Sequence, residues 1–147
     1  MLLKNKKAKF NYEFLDTLEV GIVLTGSEVK SIKTASVNMT DSFIRIINGE
    51  LILSNMHISQ PNVQNIFFTH EPLRDRKLLA HKKQIQKLEK QLATKGLTIV
   101  PTKIYTKNNL IKMEIALARG KHTYDKRQSI KNKDIKRDIE RQMKGQI

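Results

Sequence analysis

The stretch that decides the fold is residues 97–120, which read "LTIVPTKIYTKNNLIKMEIALARG". Two runs of strand-forming residues flank the polar sequence "TKNN". Successive side chains of a strand point to opposite faces, so alternation of residue types predicts one buried face. In the second run aliphatic residues alternate with charged or small ones: Ile111, Met113, Ile115 and Leu117 with Lys112, Glu114 and Ala116. Pro101 has no amide donor and predicts an edge or a bulge in the first strand. Together these features predict an antiparallel hairpin.

A second hairpin is predicted within residues 41–59, "DSFIRIINGELILSNMHIS". Two apolar runs flank Asn48-Gly49, a pair suited to the positive φ angles of a type I′ turn. Both runs are apolar at nearly consecutive positions. This pattern predicts strands covered on both faces, as when helices pack on a barrel.

The segment that follows the first predicted strand, residues 18–25, has the signature of a helix start. Thr25 and Glu28 have the spacing of a capping box, in which the side chain of each residue accepts a hydrogen bond from the backbone N–H of the other. Val29 and Ile32 would form the apolar face of this short helix. Ser27 and Lys30 also match the Ser-x-x-Lys spacing of acyl-enzymes, but the companion motifs are missing, so the helix start is favoured.

A longer helix is predicted for residues 81–96, "HKKQIQKLEKQLATKG". Ile85, Leu88 and Leu92 recur at three- and four-residue spacing, and Gly96 stands where a C-cap is expected. The order of elements is strand, short helix, hairpin, longer helix, hairpin and tail. This order predicts a mostly β fold, an OB-like antiparallel barrel, with a two-layer α+β sandwich as the alternative.

The charge of the chain indicates a polyanionic partner. The 147 residues contain 28 Lys and Arg against 14 Asp and Glu, a formal charge of +14. Four of these cations lie in residues 4–9, eight in residues 74–95 and nine in residues 121–147. Clustered excess charge is typical of a nucleic-acid-binding surface.

Several classes of protein are disfavoured by composition. The chain has no cysteine, which excludes disulfides, thiolate nucleophiles and Cys-based zinc sites. The four histidines, His57, His70, His81 and His122, have no metal-ligand spacing, so we expect no metal site and no catalytic residue. Neither an apolar run of about 20 residues nor a signal-peptide h-region is present. We therefore expect a soluble, cytoplasmic protein.

Two basic segments are the best candidates for phosphate contact. In "EPLRDRKLLAHKK", residues 71–83, Arg74, Arg76 and Lys77 predict a basic loop before the longer helix. The alternative is a solvated charged face, with at least one of Leu78 and Leu79 in the core.

The tail, residues 120–147, combines cations with Tyr124, which is suited to stacking on a base. Ile135, Ile139 and Met143 form a narrow apolar stripe, which is marginal for an isolated helix. The alternative is a basic tail without a defined role.

Seven segments, in order, resemble the SmpB family of SsrA-binding proteins over residues 4–141. They are "NKKAKFNY", "VGIVLTGSEVKSIK", "VNMTDSFIRIINGE", "HEPLRDRKLLAHKKQI", "KGLTIVPTKIY", "ALARGKHTYDKR" and "IKNKDIKRDIER". The resemblance implies an OB-like barrel with about three helices in residues 1–119. It also implies that the tail, residues 120–147, is disordered when free and becomes helical on the ribosome.

The function implied by this resemblance is that of a non-enzymatic RNA-binding adaptor. Such a protein binds the tRNA-like domain of transfer-messenger RNA. With elongation factor Tu it delivers that RNA to stalled ribosomes, and its tail enters the decoding centre and the empty mRNA channel. A monomer without cofactor or metal is expected. The alternative is a structural ribosomal or general RNA-binding OB-fold protein.

The resemblance also assigns residues to each contact. Those matched to RNA binding are Asn5, Lys6, Lys7, Phe10, Tyr12, Glu19, Arg74, Arg76, Lys77, Leu79, His81 and Lys112. Leu79 and His81 match a helical region. Phe10 stands where histidine is common and keeps the capacity to stack. Those matched to the ribosome-binding tail are Gly120, Lys121, Tyr124, Asp125, Lys126, Arg127, Ile139 and Met143.

Overall fold

The computed structural model describes residues 2–61 and 69–121, which contain nine strands and three helices. The strands are β1 (Leu2–Lys4), β2 (Tyr12–Ile22), β3 (Val37–Asn38), β4 (Phe43–Ile47), β5 (Glu50–Ser54), β6 (His57–Ile58), β7 (Arg76–Leu79), β8 (Leu97–Lys107) and β9 (Leu110–Gly120). The helices are α1 (Lys6–Asn11), α2 (Gly26–Lys33) and α3 (Lys82–Leu92).

Six strands form a closed antiparallel ring in the order β8-β4-β5-β7-β2-β9, and the pairing of β8 with β9 closes it. β1 adds to β8 outside the ring, and β3 and β6 form a separate two-stranded sheet. Closure satisfies the backbone groups that an open sheet would leave unpaired at its edges. The ring confirms the predicted OB-like antiparallel barrel over the two-layer sandwich.

Both predicted hairpins are present, and both turn through positive φ angles. Asn48 and Gly49 have φ of 52° and 76°, and Asn108 and Asn109 have 52° and 64°. Glycine and asparagine tolerate these angles better than other residues, and type I′ turns match the twist of the flanking strands. The predicted bulge at Pro101 is confirmed by a shift of register between Pro101 and Lys103.

The core fills the ring and is covered by helices. Ile32 of α2 and Ile85 and Leu88 of α3 pack with the inward side chains of the strands. A second cluster, Ala8 of α1 with Val100 and Ala118, lies apart from this core. The small side chain of Ala118 in β9 is thus packed with Ala8 of α1.

The structure differs from the sequence prediction at several element ends. β2 begins at Tyr12 rather than at residue 18, and β1 and α1 were not predicted from the sequence pattern. The six residues of α1 bury only Ala8 and carry no apolar periodicity. α3 ends at Leu92, and Gly96 lies beyond it with φ of +87° in the turn before β8.

The capping box at α2 is confirmed and extends into a buried ion pair. The Thr25 N–H donates to Glu28 Oε1 at 2.9 Å, while the Thr25 side chain accepts from the Glu28 N–H. Arg74 Nη2 donates to Glu28 Oε1 at 2.6 Å, and Arg76 Nε donates to Oε2. The side chains of Glu28 and Arg76 are both 0% exposed. This pair fastens the first turn of α2 to β7.

Arg76 also satisfies backbone groups in the interior. Its Nη1 donates to the Met56 carbonyl at 2.7 Å and its Nη2 to the Pro72 carbonyl at 3.1 Å. In this structure the guanidinium has no surface exposed for an RNA phosphate. The RNA contact of Arg76 stays a prediction, and the contacts that the structure shows are those by which the side chain holds α2 and its neighbouring loops.

A second buried polar contact lies beside this pair. Ser27 Oγ is 2.8 Å from His70 Nδ1, and His70 Nε2 is 2.8 Å from the Ile58 carbonyl. A carbonyl accepts only, so Nε2 carries the proton and donates. The contact anchors residue 70 to α2 and β6.

Replacing Glu28 by Gln is expected to lower the free energy of unfolding by about 3 to 5 kcal/mol, because the Arg76 charge then stays buried without its counter-ion. Urea unfolding at pH 7 measures this change. The matched control is Glu50→Gln, which removes the exposed partner of Lys77, a contact of 3.1 Å. We expect at most about 1 kcal/mol there. Equal losses in the two variants would contradict the role of the buried pair.

The stability that Glu28 contributes should depend on pH. Burial raises the pKa of Glu28, but hydrogen bonds from Arg74, the Thr25 backbone and Arg76 outweigh burial and lower the pKa from 4.5 to about 2. A lowered carboxyl pKa stabilises the fold above the unfolded-state value, and this contribution is lost as pH falls through the folded-state value.

The difference in unfolding free energy between the unmodified chain and Glu28→Gln should therefore be constant above pH 4.5. It should shrink, by on the order of 3 kcal/mol, as the pH falls toward 2. Urea titrations of both proteins between pH 2 and 7 measure this. A difference that did not change over this range would refute the assignment.

Candidate nucleic-acid interface

Four of the predicted RNA-contact residues line one surface groove of about 420 Å³. Glu19 comes from β2, Leu79 from β7, His81 from the start of α3 and Lys112 from β9. The other lining residues are Gly21, Ala80 and Gln84. Residues that lie up to 93 positions apart in the sequence are therefore brought together by the barrel.

The register of three neighbouring strands explains this convergence. Gly21 of β2 lies opposite Leu79 of β7 on one side and opposite Lys112 of β9 on the other. A Cβ atom at position 21 would lie 3.2 Å from the Leu79 Cβ, closer than ordinary van der Waals contact. The absence of a side chain at Gly21 thus lets Leu79 lie over β2, next to Lys112.

Glu19 provides an exposed carboxylate at the edge of this groove. It accepts hydrogen bonds from the Tyr105 hydroxyl and, at 3.3 Å, from Lys107 Nζ. The Tyr105 hydrogen bond, together with Lys107 and the charge of Lys112, lowers the pKa of Glu19, and desolvation opposes this shift. The groove therefore presents a hydrogen-bond acceptor between cations.

Leu79 and His81 lie where a strand changes into a helix. Leu79 is 52% exposed on β7, whereas the adjacent Leu78 is buried in the core. The His81 N–H donates to Gln84 Oε1 at 3.0 Å as α3 begins. This corrects the predicted loop at Arg76 and Lys77 and the predicted helix at Leu79, whereas Arg74 lies in a loop before β7 as expected. Residues 76–79 form a strand because β7 pairs with β5 and β2 along its two edges, and they alternate between buried and exposed because only one face of β7 meets the core.

Arg74 and Lys77, the other two predicted cations before α3, differ in how exposed their side chains are. The Lys77 side chain is exposed and contacts Glu50, so it can also reach an external phosphate. Arg74 is about one-third exposed and holds Glu28, so its free surface is limited. Lys77 is the best candidate for phosphate contact among the three predicted cations.

The N-terminal helix carries a second group of predicted contacts. Lys6 and Lys7 are exposed, and Lys7 Nζ lies 3.9 Å from Asp41. Phe10 is 37% exposed, and Tyr12 is partly buried against the small cluster under α1. The exposed ring and lysines have the chemistry for stacking and phosphate contact.

Asn5 differs from this group because its side chain is committed to the protein. Its amide donates to the Pro101 carbonyl at 2.8 Å and to the Met39 carbonyl at 3.1 Å, and its oxygen accepts from the Ala8 N–H. It is buried at the N-cap of α1. Asn5 thus holds α1 against β8, and its direct contact with RNA stays a prediction.

The tail begins beside the N-terminal helix. Gly120 lies opposite Tyr12 at the end of β9, and the Lys121 N–H donates to the Asn11 carbonyl at 2.9 Å. The other predicted tail residues, Tyr124, Asp125, Lys126, Arg127, Ile139 and Met143, lie outside the described residues.

Tyr105 and Lys107 contact Glu19 at the edge of the groove but were not among the residues predicted from the sequence. The alternation in β8 places Lys103, Tyr105 and Lys107 on one face, which is the signal that could have identified them. Within residues 2–61 and 69–121, no group of three His, Asp or Glu residues could hold a metal ion. In the same part of the chain, no helix has the length and hydropathy needed to cross a membrane.

Adding a side chain at Gly21 should disturb the groove. Gly21→Val is expected to lower the free energy of unfolding by about 1 to 3 kcal/mol, because the new atoms overlap Leu79. The control is Gly120→Val, where a Cβ meets nothing within 4 Å. Urea unfolding of both variants measures the difference. If they were equally stable, β2 and β7 would not be in close contact at this position.

Comparisons with known proteins agree with the fold and cover nearly the whole chain. The family model described as SmpB protein matches residues 2–145. The SsrA-binding protein of Thermosynechococcus vestitus is 51% identical over 144 residues, covering 98% of this chain and 95% of the relative. That of Persephonella marina is 52% identical over 143 residues, covering 97% and 93%.

A solved structure also resembles the chain. It is described as "tmRNA-SmpB: a journey to the center of the bacterial ribosome" and superposes with a TM-score of 0.70 at 41% identity. The match covers 83% of this chain and 85% of that one. By sequence over residues 2–145 and by fold, the chain belongs to the SmpB family.

Proposed function

We propose that this protein is a non-enzymatic adaptor that binds the tRNA-like domain of transfer-messenger RNA and delivers it to stalled ribosomes for trans-translation. Its relatives carry the name SsrA-binding protein, and the similar solved structure concerns tmRNA, SmpB and the ribosome. The observation that carries the proposal is the groove in which Glu19, Leu79, His81 and Lys112 meet.

The chemistry of the groove suits RNA. Lys112 provides a cation for a phosphate, and the exposed Leu79 provides an apolar surface for a ribose or base. The Glu19 carboxylate repels phosphate but accepts a hydrogen bond from a base amino group or a 2′-hydroxyl. A carboxylate between cations therefore favours particular RNA groups over a uniform phosphate backbone.

The barrel and the tail bind different partners in this proposal. In this proposal the barrel, residues 1–119, binds the tRNA-like domain through the groove, Lys77 and the exposed residues of α1. The tail, residues 120–147, starts beside α1 and enters the decoding centre and the empty mRNA channel. Its cations meet ribosomal RNA there, and Ile139 and Met143 help an induced helix to pack.

The remaining partners follow from this role. The protein acts in the cytoplasm as a monomer, together with elongation factor Tu, and uses no cofactor. The high positive charge of the chain supports association with RNA in general. Selectivity for tRNA-like structure is what separates the adaptor from a structural ribosomal or general RNA-binding OB-fold protein.

The experiment that tests the proposal compares two RNAs at physiological salt. The tRNA-like domain of transfer-messenger RNA and a duplex of equal length are titrated with the full chain and with a version ending at Lys121. Both RNAs should bind more weakly as salt rises, so the difference between them is the informative quantity. We expect the tRNA-like domain to bind more tightly to both proteins. Equal affinity for the two RNAs would refute the proposal.

Leu79→Ala should weaken binding of the tRNA-like domain by about 3- to 10-fold, because the groove loses its apolar surface, equivalent to about 1 kcal/mol. The matched control is Leu73→Ala, since Leu73 is 51% exposed, against 52% for Leu79, but does not line the groove. Filter binding or fluorescence anisotropy measures both affinities, and urea unfolding confirms that both variants fold. A similar loss at Leu73 would contradict the placement of the RNA in the groove.

A further inference from the structure

We propose that Tyr105 is a positioning residue of the RNA site: its hydroxyl, together with Lys107, holds the Glu19 carboxylate in the orientation in which it accepts a hydrogen bond from RNA. This inference rests on the proposed function. It assigns a role to a side chain on β8, which lies next to β9 and outside the groove lined by β2, β7, β9 and the start of α3.

The geometry of the sheet makes the contact a bridge across a whole strand. Glu19 lies on β2 opposite Glu114 of β9, and Tyr105 lies on β8 opposite Lys112 of β9. The Tyr105 hydroxyl donates to Glu19 Oε2 although the two residues are 86 positions apart. The bridge therefore passes over β9 between the side chains of Lys112 and Glu114.

Each carboxylate oxygen of Glu19 has a donor, and acceptor capacity remains. Oε2 accepts from Tyr105, and Oε1 lies 3.3 Å from Lys107 Nζ. An ionised carboxylate has about four lone-pair sites, so one or two stay open for an external donor. Without these two contacts, an exposed glutamate side chain would sample several rotamers, and ordering it on binding would cost conformational entropy.

The Tyr105 ring is itself held in place. Lys103 Nζ lies 5.6 Å from the centre of the ring, within the range of a cation–π interaction. Leu2 of β1 lies opposite Tyr105 on the other side of β8. Lys103 and Leu2 are thus the neighbours of Tyr105 on and beside β8.

The ionisation of both groups is consistent with this arrangement. The Tyr105 hydrogen bond lowers the pKa of Glu19, with Lys107 and Lys112 adding to the effect. Desolvation and the Glu19 hydrogen bond, with the charge of Glu114, raise the pKa of Tyr105 to about 12. At neutral pH the Tyr105 hydroxyl is therefore protonated and donates, and the Glu19 carboxylate is ionised and accepts. His81 also faces this site, from the start of α3.

A double-mutant cycle tests the coupling. Tyr105→Phe removes the hydroxyl and keeps the ring, and Glu19→Gln keeps the shape of the side chain without its charge. We expect Tyr105→Phe to weaken binding of the tRNA-like domain about 3- to 10-fold in the unmodified chain and by less than about 2-fold in the Glu19→Gln background. An equal loss in both backgrounds, or no loss in the unmodified chain, would overturn the inference.

A titration without RNA separates this inference from the proposed function. The carboxyl carbon resonance of Glu19 is followed by NMR from pH 2 to 7 in the unmodified chain and in Tyr105→Phe. The midpoint should move upward, toward the ordinary value of 4.5, when the hydroxyl is removed.

An unchanged Glu19 midpoint would overturn the inference even if the protein binds the tRNA-like domain selectively. Equal affinity of the unmodified chain for the tRNA-like domain and a duplex would instead refute the proposed function, and the Glu19 titration would still report on the Tyr105 contact. The two failures are therefore distinguishable.

Discussion

The ion pair between Glu28 and Arg76 is the constraint on which the rest of the structure depends. Two opposite charges can be fully buried here because hydrogen bonds within the protein replace those that water would make. Glu28 accepts from the Thr25 backbone and from Arg74, and Arg76 donates to two carbonyls. Taking one partner away leaves a charge in a medium that cannot solvate it. The pair joins the start of α2 to β7, and β7 lies in the ring between β5 and β2.

This buried pair also determines which surface β7 presents. With Arg76 and Leu78 directed inward, Lys77 and Leu79 are exposed, as the alternation of a strand requires. Leu79 then lies against Gly21 of β2, and Lys112 of β9 lies on the far side of the same glycine. The buried salt bridge and the proposed RNA groove thus lie on opposite faces of β7.

In the proposed function, the mixture of positive and negative charge on this surface raises selectivity among RNAs. A chain with a charge of +14 attracts any nucleic acid, and affinity from phosphate contacts alone does not distinguish one RNA from another. Glu19 introduces a negative charge among Lys107 and Lys112. A carboxylate at this position disfavours an unselective phosphate contact and favours a partner that offers a hydrogen-bond donor.

Local features of the sequence were sufficient for the elements that depend on neighbouring residues. Asn48-Gly49 and the alternation in residues 110–117 predicted the hairpins, and Thr25 with Glu28 predicted the start of α2, because turn angles and caps are set within a few residues. Glu19, Leu79 and Lys112 were predicted as RNA contacts only through the resemblance to a family. Their convergence in one groove could not be predicted from spacing.

Tertiary structure decided the features that depend on residues far apart. Arg76 and Lys77 are adjacent cations with the same prediction, yet one is buried and the other exposed, because strand pairing determines which face meets the core. The cap that Asn5 forms depends on distant residues in a similar way, since its partners Met39 and Pro101 come from distant segments. The sequence by itself determined the hairpins, the start of α2 and the basic character of the protein. Which charges face the interior, and that Tyr105 reaches Glu19 across β9, followed only from the closed ring, because those contacts join residues that no local pattern relates.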